Sequence, residues 1–389
     1  MTALTSSAPG ASPALEALRQ GGGVAAAEAV AALIEAGAVS NADPARLQPA
    51  SLDLTLGARA WRVRASFLPS RARTVAARLE DGLAMKEMDI GAGAVFERGC
   101  VYLVELNERL ALPPEIEGAA NPKSSTGRID VFVRLVTDYG AAFDVVPPGY
   151  RGPLYAEISP RSFSIQARAG SSLNQLRLKR GVCRVDDGAL AALHRDRPLT
   201  DGVADIADGL GVSVCLRGGA SADGDAAVIG WRARRHSGLI DVDAPGALDP
   251  NDFFEPLGPQ KSGFIILDPD EFYILASKEA VAVPPDMAAE MTPISPGLGE
   301  FRVHYAGFFD PGFGWSGDGA NGGGPDGSRA VLEVRSHDAP FVLEDGQLVA
   351  RLVYERMAAR PQRLYGADLQ SNYQGQGLKL SKHFRTAPA

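Results

Sequence analysis

From 15 to 36 the apolar residues recur at helical spacing, with Val30, Leu33 and Ile34 on one face. The Gly21-Gly22-Gly23 run splits this stretch into a short helix and a longer one. After Asp43-Pro44 the texture changes. Short apolar or alternating segments at 52–56, 101–106, 131–136, 264–267, 331–334 and 348–354 are separated by Gly and Pro. Many short strands with turn signals at close intervals predict a mainly β chain of the sandwich or barrel kind, with a few short helices.

The same pattern occurs twice. The run Tyr102-Leu-Val-Glu-Leu-Asn-Glu108-Arg-Leu-Ala-Leu-Pro113-Pro114-Glu115 lies over Tyr273-Ile-Leu-Ala-Ser-Lys-Glu279-Ala-Val-Ala-Val-Pro284-Pro285-Asp286 at a constant offset of 171 residues. Pro122 over Pro293 and Ser124 over Ser295 keep that register. An ungapped match of this length implies duplication and two similar β domains in tandem. We expect a flexible N-terminus at 1–13, a first domain at 14–195 with the N-terminal helices, and a second at 196–389. The second ends in a flap at about 361–389, and a linker helix near 189–194 precedes the boundary.

The 389 residues are ample for two cores, and 45% hydrophobic with 22% charged residues is ordinary for a globular chain. No stretch approaches the length of a membrane span, and the opening lacks the basic flank and apolar core of a signal peptide, so a cytoplasmic location is expected. Cys100, Cys183 and Cys215 are too dispersed for a disulfide framework or a paired-cysteine metal knuckle. A net charge of −8 argues against nucleic acid as a partner, but a small anion needs only a few local donors.

Three constellations carry candidate chemistry. Lys123-Ser124-Ser125-Thr126-Gly127-Arg128 combines hydroxyls, turn amides, a glycine and two cations, which suits an oxyanion; a polar turn between strands is the plain alternative. The aligned run Ile294-Ser295-Pro296-Gly297-Leu298-Gly299 has lost one hydroxyl and the arginine, so the first copy is the one expected to hold phosphate. Glutamates stand among strand aliphatics once per half, Glu157 and Glu333. Each follows an aspartate and a Gly-aromatic turn, Asp144 with Gly149-Tyr150 and Asp310-Pro311-Gly312-Phe313-Gly314. Such a carboxylate suits general acid/base work when its pKa is raised, and is otherwise a solvent-facing residue of an alternating strand. The C-terminal run from Tyr365 through Asn372, Gln374 and Gln376 to Lys382 is Gly-rich, polar and basic, either a flap over an anion or a plain polar tail.

Weaker signals point elsewhere. Gly317-Asp-Gly319-Ala-Asn-Gly322 fits a dinucleotide fingerprint but sits in a loop between β segments with no helix after it. The five histidines show no zinc-ligand spacing, and no G-x-S-x-G elbow is present.

Five motifs in order resemble the dCTP deaminases of the trimeric dUTPase superfamily, in particular the long tandem bacterial form. They are Gln48-Pro49-Ala50-Ser51-Leu52-Asp53-Leu54, the Lys123 to Arg128 run, the Asp310 to Gly314 run, Gly346-Gln347 through Glu355, and Tyr373-Gln374-Gly375-Gln376. The resemblance implies two dUTPase-like distorted β-barrels or jelly rolls. It implies zinc-independent hydrolysis of dCTP to dUTP and ammonia in pyrimidine deoxynucleotide synthesis, with Mg2+ accompanying the triphosphate. It further implies that Ser124, Ser125 and Arg128, with Lys123 and Gly127, hold phosphate and order the water. Asp310, Gly312 and Phe313, in the hairpin ending at Gly314, would hold the pyrimidine and exclude a ribose 2′-hydroxyl, and Tyr365 and Gln376 would close on the triphosphate. The catalytic glutamate is matched by Glu333 and less closely by Glu157.

The resemblance implies sites that lie between subunits, one giving the Ser-Ser-Arg loop and its neighbour the hairpin and glutamate. One composite site per chain is therefore expected, joining the first half's Ser124, Ser125 and Arg128 to the second half's hairpin and Glu333, in a homo-oligomer. Two rivals remain: a dUTPase or bifunctional deaminase-diphosphatase releasing dUMP and pyrophosphate, and a nucleotide-binding regulator without turnover.

Overall fold

Strands begin where the Gly- and Pro-punctuated texture begins. The computed structural model describes residues 12–218, 228–295, 301–304, 307–316, 327–336, 338–366 and 378–385. Gln376, Gly299 and the Gly317–Gly322 run fall outside these. Two helices, Pro13–Gly21 and Ala27–Glu35, open the chain; they are equal in length, not short then long, because Pro13 presets the first helical turn ahead of Leu15. Between them Gly23–Val24 forms a short strand on Asn174–Arg180.

Each half stacks two antiparallel sheets. In the first, Val145–Val146, Glu117–Pro122, Asn174–Arg180, Ser51–Asp53 and Leu47–Gln48 form one sheet, and Val131–Thr137, Arg151–Pro160, Val101–Ala111, Leu56–Val63 and Ala84–Asp89 the other. In the second, Leu210–Ser213, Leu348–Arg356, Met287–Pro293 and Phe308–Phe309 repeat the first sheet. The second is repeated by Phe254–Leu257, Gly230–Ala233, Phe272–Val281, Ser328–Ser336 and Phe301–His304. The segment expected as one strand at 52–56 is two strands in opposite sheets. The chain crosses between them at Thr55, whose amide and hydroxyl both donate to the buried Glu108 carboxylate, at 3.0 and 2.7 Å.

The duplication extends to these polar details. Glu279 accepts from the amide and hydroxyl of Ser213, as Glu108 does from Thr55. The Tyr102 hydroxyl accepts from the Glu97 amide and the Tyr273 hydroxyl from the Asp268 amide. Glu157 lies opposite Leu103 and Glu333 opposite Ile274, which places the two glutamates at equivalent ladder positions.

The Asn174–Arg180 and Leu348–Arg356 strands bring the halves together. Lys179, opposite Glu117, and Glu355, opposite Ala288, are equivalent positions, yet their side chains meet at 3.4 Å. Contact between equivalent positions is what an approximate two-fold relation produces. A shared core joins the first sandwich to Phe253, Phe254, Phe272 and Ile274 of the second half. Phe384, within the flap expected at about 361–389, packs edge-on against Phe253 and Phe254 with ring centroids 5.4 Å apart. Each such pair is worth about 0.5–1.5 kcal/mol beyond area burial, which keeps this part of the C-terminus docked. No helix among the described residues is long and apolar enough to cross a membrane.

Candidate active site

The strand Glu117–Pro122 delivers Lys123 to a one-turn helix, Ser124–Gly127. Its later amides are bonded within the turn itself. Those of Thr126 and Gly127 donate to the Lys123 carbonyl, at 2.8 and 3.0 Å, and that of Arg128 to the Ser124 carbonyl at 3.1 Å. Lys123 pairs with Asp53 at the end of Ser51–Asp53. Ser125, Thr126, Gly127 and Arg128 are buried.

Glu333 comes to this helix from the second half. It lies on Ser328–Ser336, is 2% exposed, and faces Gly127 so closely that a Cβ there would stand 2.6 Å from Glu333 Cδ and 2.7 Å from Oε1. A second link runs beside it: Arg335 Nη1 donates to Asp130 Oδ2 at 3.1 Å, joining the same strand to the residue that follows Ile129. Asn121 Oδ1 accepts from the Gly307 amide at 2.7 Å, which ties the strand before Lys123 to the segment entering the hairpin.

The hairpin itself is built on glycine. Gly312 has φ +97°, and a Cβ would lie 2.9 Å from Leu364 Cβ and 3.0 Å from the Tyr365 carbonyl. Phe313 packs on Phe309 at 4.9 Å and on Tyr365 at 5.6 Å, and the Tyr365 amide donates to Pro311 O at 2.9 Å. Asp310 is buried, and burial raises its pKa to about 6 against the lowering influence of Arg177.

The first-half hairpin differs from expectation. Leu112 N donates to Tyr150 O and Val283 N to Phe313 O, so Tyr150 is the counterpart of Phe313 and Pro147 that of Asp310; Asp144 is not. Val145 opposite Ala119 and Phe308 opposite Glu290 give the same register. The sequence reading paired the aspartates because intervening turn lengths differ. Glu157 is enclosed locally: Ser66 Oγ and the Phe67 amide donate to its two oxygens at 2.8 and 3.3 Å, and burial is the main cause of its raised pKa.

The C-terminal segment lies over the Ser124–Gly127 helix. Arg128 Nη1 donates to the Lys379 carbonyl at 2.9 Å, and Ser381 Oγ to the Ser125 carbonyl at 2.8 Å. His383 holds Ser381 through Nδ1 at 2.8 Å and faces Val242 O through Nε2 at 3.0 Å. Lys382 has its pKa lowered, first by burial and then by Lys123, so cations from both halves crowd this spot.

Two models of the 2′-deoxycytidine 5′-triphosphate deaminase family match, the N-terminal domain over 21–182 and the C-terminal domain over 186–384. The chain belongs to the dCTP deaminase family. It is similar to a crystal structure of 2′-deoxycytidine 5′-triphosphate deaminase from Agrobacterium tumefaciens, at 48% identity and TM-score 0.81 over 88% of this chain and 99% of that one. Curated dCTP deaminases of Halorubrum lacusprofundi and Haloarcula marismortui match at 28% and 31% identity over 29% and 34% of this chain. The chain spans 53% and 63% of the length of those two relatives.

Within this dCTP deaminase fold, sequence reasoning missed Arg177, Ser381 and His383. Arg177 alternates with Leu176 and Leu178, a pattern that normally places the polar residue in solvent; here that face is the boundary between halves. A signal was present in the duplication, since Val353 occupies the ladder position equivalent to Arg177.

Proposed function

We propose that this chain hydrolyses dCTP to dUTP and ammonia, without zinc, at one composite site per chain in the cytoplasm. The observation that carries the reading is the approach of Glu333, from the second half, to Gly127 in the Ser-Ser-Thr-Gly-Arg turn of the first. Ser124, Ser125, Arg128 and Lys123 bind phosphate and help order the water, and the Asp310 to Phe313 hairpin holds the nucleoside. Tyr365 and Gln376 complete the enclosure. Glu333 takes a proton from water as its oxygen bonds to the ring carbon bearing the amine. It then passes a proton to the amino group, which leaves as ammonia.

Glu157 serves structure, through Ser66 and Phe67. Among the described residues no group of three His, Cys, Asp or Glu side chains could hold a metal ion. Mg2+ enters with the triphosphate and neutralises phosphate charge. A homo-oligomer of such chains carries one Glu333 site per chain.

The test is to incubate purified protein with dCTP and Mg2+, with and without phenanthroline, and resolve nucleotides and ammonia over time. Formation of dUTP and ammonia unaffected by the chelator is expected. Bound but intact dCTP overturns the reading in favour of a regulator, and dUMP with pyrophosphate in favour of the bifunctional enzyme.

A further inference from the structure

Arg177 is a guanidinium with no exposure to solvent, rooted in the first half and directed entirely into the second. Nη1 donates to Ala289 O at 3.1 Å and to Glu355 Oε2 at 3.2 Å, and Nη2 donates to Phe309 O at 3.3 Å. Its Cζ lies 4.0 Å from the centroid of the Phe308 ring, and Nη2 stands 3.6 Å from Asp310 Oδ1. One side chain thus fixes ring, backbone and carboxylate of three successive hairpin residues. Asp310 Oδ1 is buried and, among the described residues, has no approach from a donor closer than the 3.6 Å from Arg177. A carboxylate oxygen held beside a cation yet left without a donor is a ready acceptor for a ligand hydroxyl.

The approximate two-fold supplies an internal control. The partner positions of Arg177 and Asp310 in the opposite sense are Val353 and Pro147, both uncharged. The boundary between halves is therefore built once with this ion pair and once without it. Packing alone does not demand the pair, and it accompanies the hairpin on the Glu333 side.

We propose that Arg177 is a positioning residue for the reaction, holding the Asp310 carboxylate from the opposite half of the chain so that it accepts a hydroxyl from the nucleotide's sugar. The inference rests on the dCTP deaminase reading. The groups whose charge reaches this pair are Asp53 towards Asp310, and Glu355, Glu290 and Lys179 around Arg177. Asp53 is itself paired with Lys123. An ionised Asp310 accepts the hydroxyl and a protonated one accepts it poorly, so kcat/KM for dCTP falls on the acid side as Asp310 gains its proton near pH 6.

The experiment compares wild type, Arg177→Lys, Asp310→Asn and the double variant for kcat and KM with dCTP between pH 5 and 8, with melting temperature as a check on folding. Arg177→Lys is expected to raise KM about tenfold, the worth of one charge-assisted hydrogen bond, with kcat less affected. It is also expected to move the acid limb upward by about one pH unit, because a bidentate, close cation is replaced by a looser one. Asp310→Asn abolishes that limb, and in its background Arg177→Lys has no further effect on pH dependence. A folded Arg177→Lys with wild-type KM and limb overturns the proposal. A limb near pH 6 that stays unmoved in Asp310→Asn also overturns it, including where Arg177→Lys does not fold. Wild-type protein that leaves dCTP intact at every pH sinks the deaminase reading itself, a result distinct from both.

Discussion

The Glu333 carboxylate occupies the space that a side chain at Gly127 would need, although 171 residues of duplicated sequence separate the two barrels' matching motifs. Gly127→Ala pushes the methyl group into Glu333 and displaces the proposed base. We expect kcat to fall by about 10²-fold, the cost of a displacement of roughly 1 Å, while dCTP affinity changes little. Gly21→Ala, where nothing lies within 4 Å of the added atom, is the control and leaves turnover unchanged. Steady-state kinetics on both variants checks this.

Glu333→Gln and Glu157→Gln separate the two equivalent ladder positions. Loss of the base in Glu333→Gln lowers kcat by about 10²–10⁴-fold with the fold intact. In Glu157→Gln the bonds from Ser66 and Phe67 weaken, and the expected result is a loss of about 1–2 kcal/mol in stability with turnover retained. Urea unfolding and dCTP turnover measured together assign the roles; abolished turnover in Glu157→Gln alone would reverse them.

His383 links the docked C-terminal segment to pH. Burial first, and then the Lys382 charge, lower its pKa from 6.5 to about 4. Between these values the unfolded segment binds more protons than the docked one, so stability is full above pH 6.5 and is lost as pH falls towards 4. Amide exchange of 378–385, corrected for its intrinsic pH dependence, should rise over that window. The rise should be absent in His383→Asn, which has no titrating group.

Arg335 and Asp130 form a buried pair between the halves, with Ser162 Oγ also donating to Asp130. Arg335→Leu removes this cation from the buried aspartate, and we expect a loss of about 3 kcal/mol. Combining it with Asp130→Leu should recover most of that loss in equilibrium unfolding, since neither charge is then stranded.

The two-domain β plan was legible because it rests on local features. Strand alternation, Gly and Pro punctuation and the 171-residue repeat are all properties of neighbouring residues or of their copies. The Lys123 to Arg128 turn, Glu333 and the Asp310 hairpin could be chosen as candidates on the same footing. Register was less accessible: Asp144 looked like the counterpart of Asp310, whereas the hydrogen bonds from Leu112 and Val283 give that place to Pro147. A one-dimensional match cannot distribute turn residues until the ladder fixes which strand positions face each other.

By itself, then, the sequence determined the class of fold, its duplication and the chemical types gathered for a nucleotide. The family resemblance already set Glu333 against the first half's turn as an expectation; tertiary structure decided the contacts themselves. Glu333 reaches Gly127, Arg177 reaches Asp310, Ser381 reaches Ser125 and His383 reaches Val242, each across more than 100 residues of chain. The reason is physical: burial and charge pairing depend on what lies across an interface, and a polar residue in an alternating strand reads the same whether it faces water or the other half of its own chain.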